Sequence, residues 1–337
     1  MTRKLKIFLL AGLLLILILA MLWGWVAYRQ AVENSVVDQE SVIVDIPKGA
    51  SFNQIIKQLQ QQQIAIQPFW FKVIAYRYNL AGSLQAGEYE LNKGMTSLAI
   101  LNQLASGKCK HYSLTFPEGW AFKEVLKLLA ATPELDHQLV AQSMPDILKF
   151  VGINQSHAEG WFFPDTYRFT RGTSDVAILK QAYLKMQTTL DAEWQQKQAG
   201  LPLKDAYQAL ILASIIEKET GVAHERAQIA GVFTRRLQKG MLLQTDPTVI
   251  YGMGEAYQGN IRSKDLKTAT AYNTYVIAGL PPTPIAMPGL EAIHAALHPS
   301  AGNSLYFVAN GGGGHLFSDT LEQHNAAVNT YQRKQRH

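Results

Sequence analysis

The chain has 337 residues, 47% of them hydrophobic and 17% charged, with a formal net charge of +5. That length supports two domains or one large one with a true core, and the apolar content excludes a disordered chain. Arg3, Lys4 and Lys6 precede an apolar run and Arg333, Lys334 and Arg336 close the chain, so the body between is near neutral and lacks the basic footprint of a nucleic-acid binder.

Residues 7–27 are almost continuously apolar. At about 1.5 Å per residue they reach about 30 Å, one bilayer core. Trp23, Trp25 and Tyr28 sit at the far end, where aromatic rings suit the membrane interface. No small-x-small cleavage site follows, so the run is read as an uncleaved, single-pass inner-membrane anchor. Residues 1–6 are then cytoplasmic and everything after the run is exported. The one cysteine, Cys109, can form no intrachain disulfide and has no metal or catalytic partner at useful spacing; it is read as structural.

Residues 28–40 are polar and read as a stalk. IPKGASFNQIIKQL (46–59), LNKGMTSLAILNQL (91–104) and FPEGWAFKEVLKLL (116–129) then repeat one layout: strand, glycine turn at Gly49, Gly94 or Gly119, and an amphipathic helix. PFWFKVIAYRYNL (68–80) adds a helix with Pro68 at its start. Residues 41–91 thus read strand-helix-helix-strand, which resembles the LysM module that holds N-acetylglucosamine-containing glycans. Trp70, Phe71 and Tyr76 are read as its core.

Beyond residue 110 the chain reads as a mixed α+β domain, residues 111–337. EGWFFPDTYRF (159–169) is too irregular for one helix face and too aromatic for an exposed loop. Helices are predicted over 174–198, 223–240 with Ile229, Val232, Phe233 and Leu237 buried, 289–298 and 320–333. Thr245-Asp246-Pro247 is a helix-start signature. The Pro-rich stretch 270–289 is expected to be a surface loop, and 305–318 a β-hairpin with a glycine tip.

Between them lies ALILASIIEKETG (209–221), apolar all round and therefore an interior helix. Leu210, Ala213, Ser214 and Glu217 share a face, and the small Ala213 and Ser214 leave room beside Glu217. If Gly221 ends the helix, Glu217 sits in its last turn, where burial and the negative helix pole both raise a carboxyl pKa. Two readings stay open on the residues alone: a general acid, or a glutamate leaving the core to pair with Lys218 or Arg226.

Other chemistries fit less well. Glycines 311–314 join two strands and lack the Lys-Ser/Thr of a phosphate loop. His294 and His298 lie four apart, but Ala295 stands where a zincin carries its glutamate, so no metal is expected. Ser214 lies mid-helix, not on a nucleophile elbow. Glu219 points to another face than Glu217, which leaves Asp246 as the available second carboxylate.

EGWFFPDTYRF, ASIIEKET followed by LQTDPTVIYGMG, NTY (273–275) with GLPPTPIAMPG, and LYFVANGGGGHLFS followed by HNAAV occur in one order. With these motifs the chain closely resembles the endolytic murein transglycosylase (YceG-like) family from anchor to final helix. Thr283 and Met287 depart from the family pattern, which puts subsite details in question and not the reaction. The resemblance implies an enzyme, a lyase that cuts the β-1,4 bond between N-acetylmuramic acid and N-acetylglucosamine inside nascent glycan strands. It implies 1,6-anhydro ends, Glu217 as the catalytic residue and no cofactor. Peptidoglycan strands and the inner membrane are the implied partners, with peptidoglycan synthases as candidates. Gln244, Thr245, Asp246, Tyr251, Asn273 and Tyr275 are candidate substrate contacts, though each also suits a cap or turn. The alternative is a non-catalytic glycan-binding scaffold of the wall-synthesis machinery.

Overall fold

The computed structural model describes residues 3–333. The first two residues of the expected cytoplasmic segment, and Lys334 and Arg336 of the basic tail, lie outside the described residues. The chain divides into two compact units at Tyr112 and Ser113, with Phe169–Arg171 returning to the first.

The first unit begins with α1 (Arg3–Glu33), a continuous helix. Ile7–Glu33 is long and apolar enough to cross a membrane, with a mean hydropathy of 2.8. Then come β1 (Ser41–Ile46), α2 (Phe52–Gln61), α3 (Pro68–Arg77), β2 (Gly87–Asn92) and α4 (Ser97–Ser106). β1 and β2 pair antiparallel from Ser41↔Asn92 to Ile46↔Gly87. Alternation decides their faces: Val42, Val44 and Ile46 point inward and Ser41, Ile43 and Asp45 outward. Ile55, Ile56 and Leu59 of α2, Phe71 and Ile74 of α3, and Ile100, Leu101 and Leu104 of α4 complete this core. Gly49 and Gly94 hold the expected left-handed turns at φ 77° and 84°.

Two expectations change here. Residues 28–40 are not a free stalk. α1 continues through Glu33, and Val36 and Val37 are buried, with Val36 N–H donating to Met95 O at 2.8 Å and Ala65 N–H to Val36 O at 2.9 Å. An apolar Val-Val pair inside a polar stretch carries enough burial to dock the segment. Of the three aromatics read as core, Phe71 is buried, Trp70 is half-buried and Tyr76 is 74% exposed.

The second unit contains α5 (Phe122–Ala130), α6 (Met144–Val151), α7 (Asp175–Gln195), α8 (Ala206–Glu219), α9 (Arg226–Gln238), α10 (Asp246–Met253), α11 (Leu290–Leu297) and α12 (Leu321–Val328). β3 (Tyr112–Thr115) pairs with β4 (Thr166–Phe169), and β5 (Tyr306–Ala309) with β6 (His315–Ser318) around the glycine tip. With β1–β2, these are the ladders of a mixed α+β protein. α8 is the axis: Ala209–Ile216 are all buried, and α7, α9, α10 and α11 pack on it. Helix α9 buries Ile229, Val232 and Phe233 as predicted, but Arg236 is buried where Leu237 is only half-buried. The Arg236 guanidinium donates to the carbonyls of Leu305 (2.6 Å), Leu242 (3.0 Å) and Leu243 (3.0 Å), which fixes the start of the β5–β6 hairpin.

The Pro-rich stretch is the largest departure. The stretch reaches the surface at Ala271, Val276, Ala278 and Pro282 as expected, but Thr283–Gly289 is buried throughout. Prolines at 284 and 288 bring no N–H to satisfy, and Ile285, Met287 and Gly289 each find an acceptor inside the domain. Gly160, at φ +82°, lies against this loop, and a Cβ there would meet Pro284 Cβ and Cγ at 2.5 Å. Gly160→Ala is therefore expected to lower the unfolding free energy by about 2–4 kcal/mol, combining left-handed backbone strain with overpacking. Urea unfolding tests this, and an unchanged midpoint would show that Pro284 simply moves aside.

Candidate active site

The site is built where the buried loop meets the end of α8. Asp205 caps the helix start and Glu219 is its last helical residue. Thr220 is extended, so the helix ends two residues before Gly221. Glu217 nevertheless lies in the last turn.

The room left by Ala213 and Ser214 is filled by main chain. Ser214 Oγ donates to Ile211 O at 2.7 Å and accepts Ile285 N–H at 3.0 Å. Three residues along α8, Glu217 Oε2 accepts Gly289 N–H at 2.9 Å. The loop's other edge exchanges bonds with the glycine turn before α5: Gly119 N–H donates to Met287 O at 2.9 Å and Met287 N–H to Trp120 O at 2.8 Å. Lys218 Nζ reaches Gly119 O at 3.1 Å, so Lys218 braces this turn and does not pair with Glu217.

The Glu217 side chain is 7% exposed, and Arg226 Nη2 stands 4.0 Å from Oε1. Burial pushes its carboxyl above the usual range; Gly289 N–H pulls it back, the Glu118 carboxylate pushes it up again, and Arg226 and Lys218 oppose. The net direction is upward. Arg226 Nε is buried without a hydrogen-bond partner among the described residues. Glu118 was not singled out from the sequence, although a signal was there: the equivalent position before the turn glycine is Lys48 and Lys93 in the other two copies. Its carboxylate lies where a Cβ on Gly289 would sit.

A cavity of about 740 Å³ adjoins these groups, lined by Gly119, Lys218 and Ile285 and, further along, by Glu159, Tyr251 and Tyr272. Glu217 is not itself among the lining residues. Glu159, also missed, accepts Phe122 N–H at 2.9 Å and the Tyr251 hydroxyl at 3.1 Å. Burial raises its carboxyl to about 7 despite these donors.

A second cavity of about 450 Å³ gathers Gln244, Asp246 and Tyr275 with Glu219 and Arg236. Tyr275 donates to Asp246 Oδ1 at 2.6 Å. Glu219 accepts from the Thr245 hydroxyl, and burial raises its carboxyl to about 7. Asp246 acts electrostatically on Glu219, whereas the charges acting on Glu217 are Glu118, Arg226 and Lys218. Three of the six expected substrate contacts are thus together, and Tyr251 lines the larger cavity.

Thr245 and Asn273 lie in the interior. Thr245 is 2% exposed, its N–H donating to Thr274 Oγ1 at 3.1 Å and its hydroxyl held by Glu219. Asn273 is 1% exposed, its Nδ2 donating to the carbonyls of Asp265, Leu266 and Thr268. Both brace the backbone. Thr283 and Met287, expected to bear on subsites, are also interior: Thr283 Oγ1 meets Tyr272 OH at 2.9 Å, and Met287 is fully buried.

The histidine pair has a carboxylate after all, from another helix. Glu193 of α7 meets His294 Nδ1 at 2.8 Å, and the ligand-type atoms of Glu193, His294 and His298 lie within 4.8 Å of one another. His298 turns Nε2 to Gln196 O (2.9 Å) and Nδ1 to His294 O (3.2 Å), so both its nitrogens are engaged within the protein.

Residues 44–330 match the YceG-like family. An endolytic murein transglycosylase of Bacillus subtilis is 33% identical over 86% of this chain and 85% of its own length. One from Streptococcus pneumoniae is 27% identical over 90% of this chain, which spans 62% of that longer protein. The crystal structure of a YceG-like protein from Listeria monocytogenes aligns with a TM-score of 0.55 at 31% identity, covering 85% of this chain and 98% of that one. The chain belongs to the YceG-like family.

The raised Glu159 carboxyl makes stability depend on pH. Its ordinary value of 4.5 moves to about 7 in the folded protein, so the folded state holds the proton more tightly. The stabilisation is complete below the ordinary value and is lost as pH rises through the folded one. Glu159→Gln is expected to flatten this decline by on the order of 3 kcal/mol. Unfolding free energies measured across that window test it, and parallel curves for both proteins would contradict it.

Proposed function

We propose that this chain is a membrane-anchored endolytic lytic transglycosylase of peptidoglycan, with Glu217 as both its acid and its base. The observation that carries the reading is the buried Glu217 carboxyl, raised by its surroundings and held by Gly289 N–H, in a chain whose relatives bear the name endolytic murein transglycosylase.

The chemistry asks for one such group. Protonated Glu217 delivers its proton to the glycosidic oxygen of the departing N-acetylglucosamine while positive charge builds on the N-acetylmuramic acid ring. The C6 hydroxyl of that ring attacks C1, and the Glu217 carboxylate removes its proton. The products are a 1,6-anhydro end and a free 4-hydroxyl, with no water consumed. Because the nucleophile belongs to the substrate, its effective concentration is already high and no second carboxylate is needed to activate water. Between the two steps Glu217 carries a charge, which Arg226 and the Gly289 N–H are placed to stabilise. Tyr251, from the larger cavity, and Gln244, Asp246 and Tyr275, from the smaller, are proposed sugar contacts.

In this reading residues 1–6 are cytoplasmic, α1 anchors the enzyme, and the exported body meets nascent strands near the inner membrane, where cleavage ends their elongation. The strand-helix-helix-strand unit, residues 41–110, serves as a LysM-like glycan-holding module, and residues 111–337 as the catalytic domain. Peptidoglycan synthases are proposed partners.

Glu217→Gln is expected to lower formation of anhydro-ended fragments at least about 10²–10⁴-fold while glycan binding persists. Mass spectrometry of digested peptidoglycan reads this; hydrated reducing ends from the parent protein would mean a hydrolase, and strand binding without any cleavage a scaffold. Glu118→Gln removes a like charge that favours the protonated acid, so the alkaline limb of the pH–rate profile should move to lower pH. A limb that stays in place would remove Glu118 from the site.

A further inference from the structure

The first unit presents an exposed aromatic surface beside the end of the apolar helix. α3 starts abruptly at Pro68, and the next two residues are Phe69 and Trp70. Phe69 is 68% exposed and packs edge-on against Trp70, with ring centroids 4.9 Å apart. Trp70 in turn meets Tyr28 of α1 at 6.1 Å. The two helices also enclose a cavity of about 430 Å³, lined by Trp23, Ala27 and Gln30 from α1 and by Ala65, Gln67 and Trp70 from the module. Trp23 lies one turn inside the end of the apolar run, about 6 Å deep. The module therefore reaches back along α1 to the level of its interfacial aromatics.

This placement is rigid. Tyr28, Ala31 and Val32 pack on the module core, and the bonds through Val36 and Gly94 lock the following residues to it. A flexible stalk would let the module leave the bilayer; a welded helix does not. Residues 69, 72 and 76 share one face of α3, so exposed Phe69 and Tyr76 flank Lys72. Two exposed aromatic rings around a half-buried lysine is the composition of a helix face lying at a lipid headgroup boundary.

We infer that α3, through Phe69 and Trp70, is a second membrane contact that seats the module on the outer face of the bilayer crossed by α1. The occupant of this surface is lipid, argued from its continuity with the apolar helix, and the inference rests on reading that helix as a membrane anchor. The module is then held at a fixed height and tilt, so that strands are met at the membrane surface.

The test uses the full chain with Cys109→Ser, in nanodiscs of phosphatidylcholine and phosphatidylglycerol. An environment-sensitive fluorophore is placed at Phe69→Cys or, separately, at Trp23→Cys. The expected result is a blue-shifted emission at both positions, lost when lipids spin-labelled near the headgroup are included. Water-like, unquenched emission at Phe69 with quenching at Trp23 would overturn the inference and leave the anchor standing. Unquenched emission at Trp23 would overturn the anchor and the inference with it.

Discussion

The site depends on one contact: the main chain of residues 285–289 laid along α8. Two α8 side chains one helical turn apart, Ser214 and Glu217, each accept an N–H from that loop. Such close approach needs small residues on the helix, hence Ala213 and Ser214 in an otherwise bulky apolar sequence. It also needs few donors in the loop, which its prolines ensure, because an unpaired N–H at this depth would cost about 1–3 kcal/mol. Gly160 and Gly289 are the places where even a methyl group would push the loop or its neighbours apart.

That geometry sets the electrostatics. Three glutamates are raised by burial, but their partners differ. Glu159 has a backbone N–H and a tyrosine, Glu219 a threonine, and Glu217 a backbone N–H with a guanidinium at the edge of contact. Glu217 has the Glu118 carboxylate to favour its neutral form, and the Gly289 N–H and Arg226 guanidinium to receive its charge. A residue that must give a proton and then take one back needs both states to be accessible.

Much of this was legible in the chain itself. The glycine turns, the capped and proline-started helices and the interior helix around Glu217 all follow from local pattern, and local pattern is what turns and periodicity encode. What escaped depends on distant partners. Loop 283–289 reads as surface by composition, and only the acceptors on α8 and at Trp120 make its burial affordable. Thr245 and Asn273 are polar residues of the kind that line sugar clefts, yet backbone carbonyls and Glu219 use up their bonding capacity. Arg236 sits on a helix face that looks solvated until three carbonyls from two other segments converge on it. Val36 and Val37 vanish in a polar average. Glu118 could have been found, since it breaks the lysine pattern of the other two repeat copies.

The proposed mechanism turns on the Glu217 carboxyl at the end of α8 keeping its proton above the ordinary glutamate range, as its burial favours. Infrared difference spectroscopy between the parent protein and Glu217→Gln reads this directly, through the carbonyl stretch of a protonated acid. The expected result is a protonated-carboxyl band, missing from the variant, that persists at a pH where an exposed glutamate is fully ionised. A Glu217 band that disappears over the ordinary glutamate range would contradict it, and would leave this residue as a buried ion pair with Arg226.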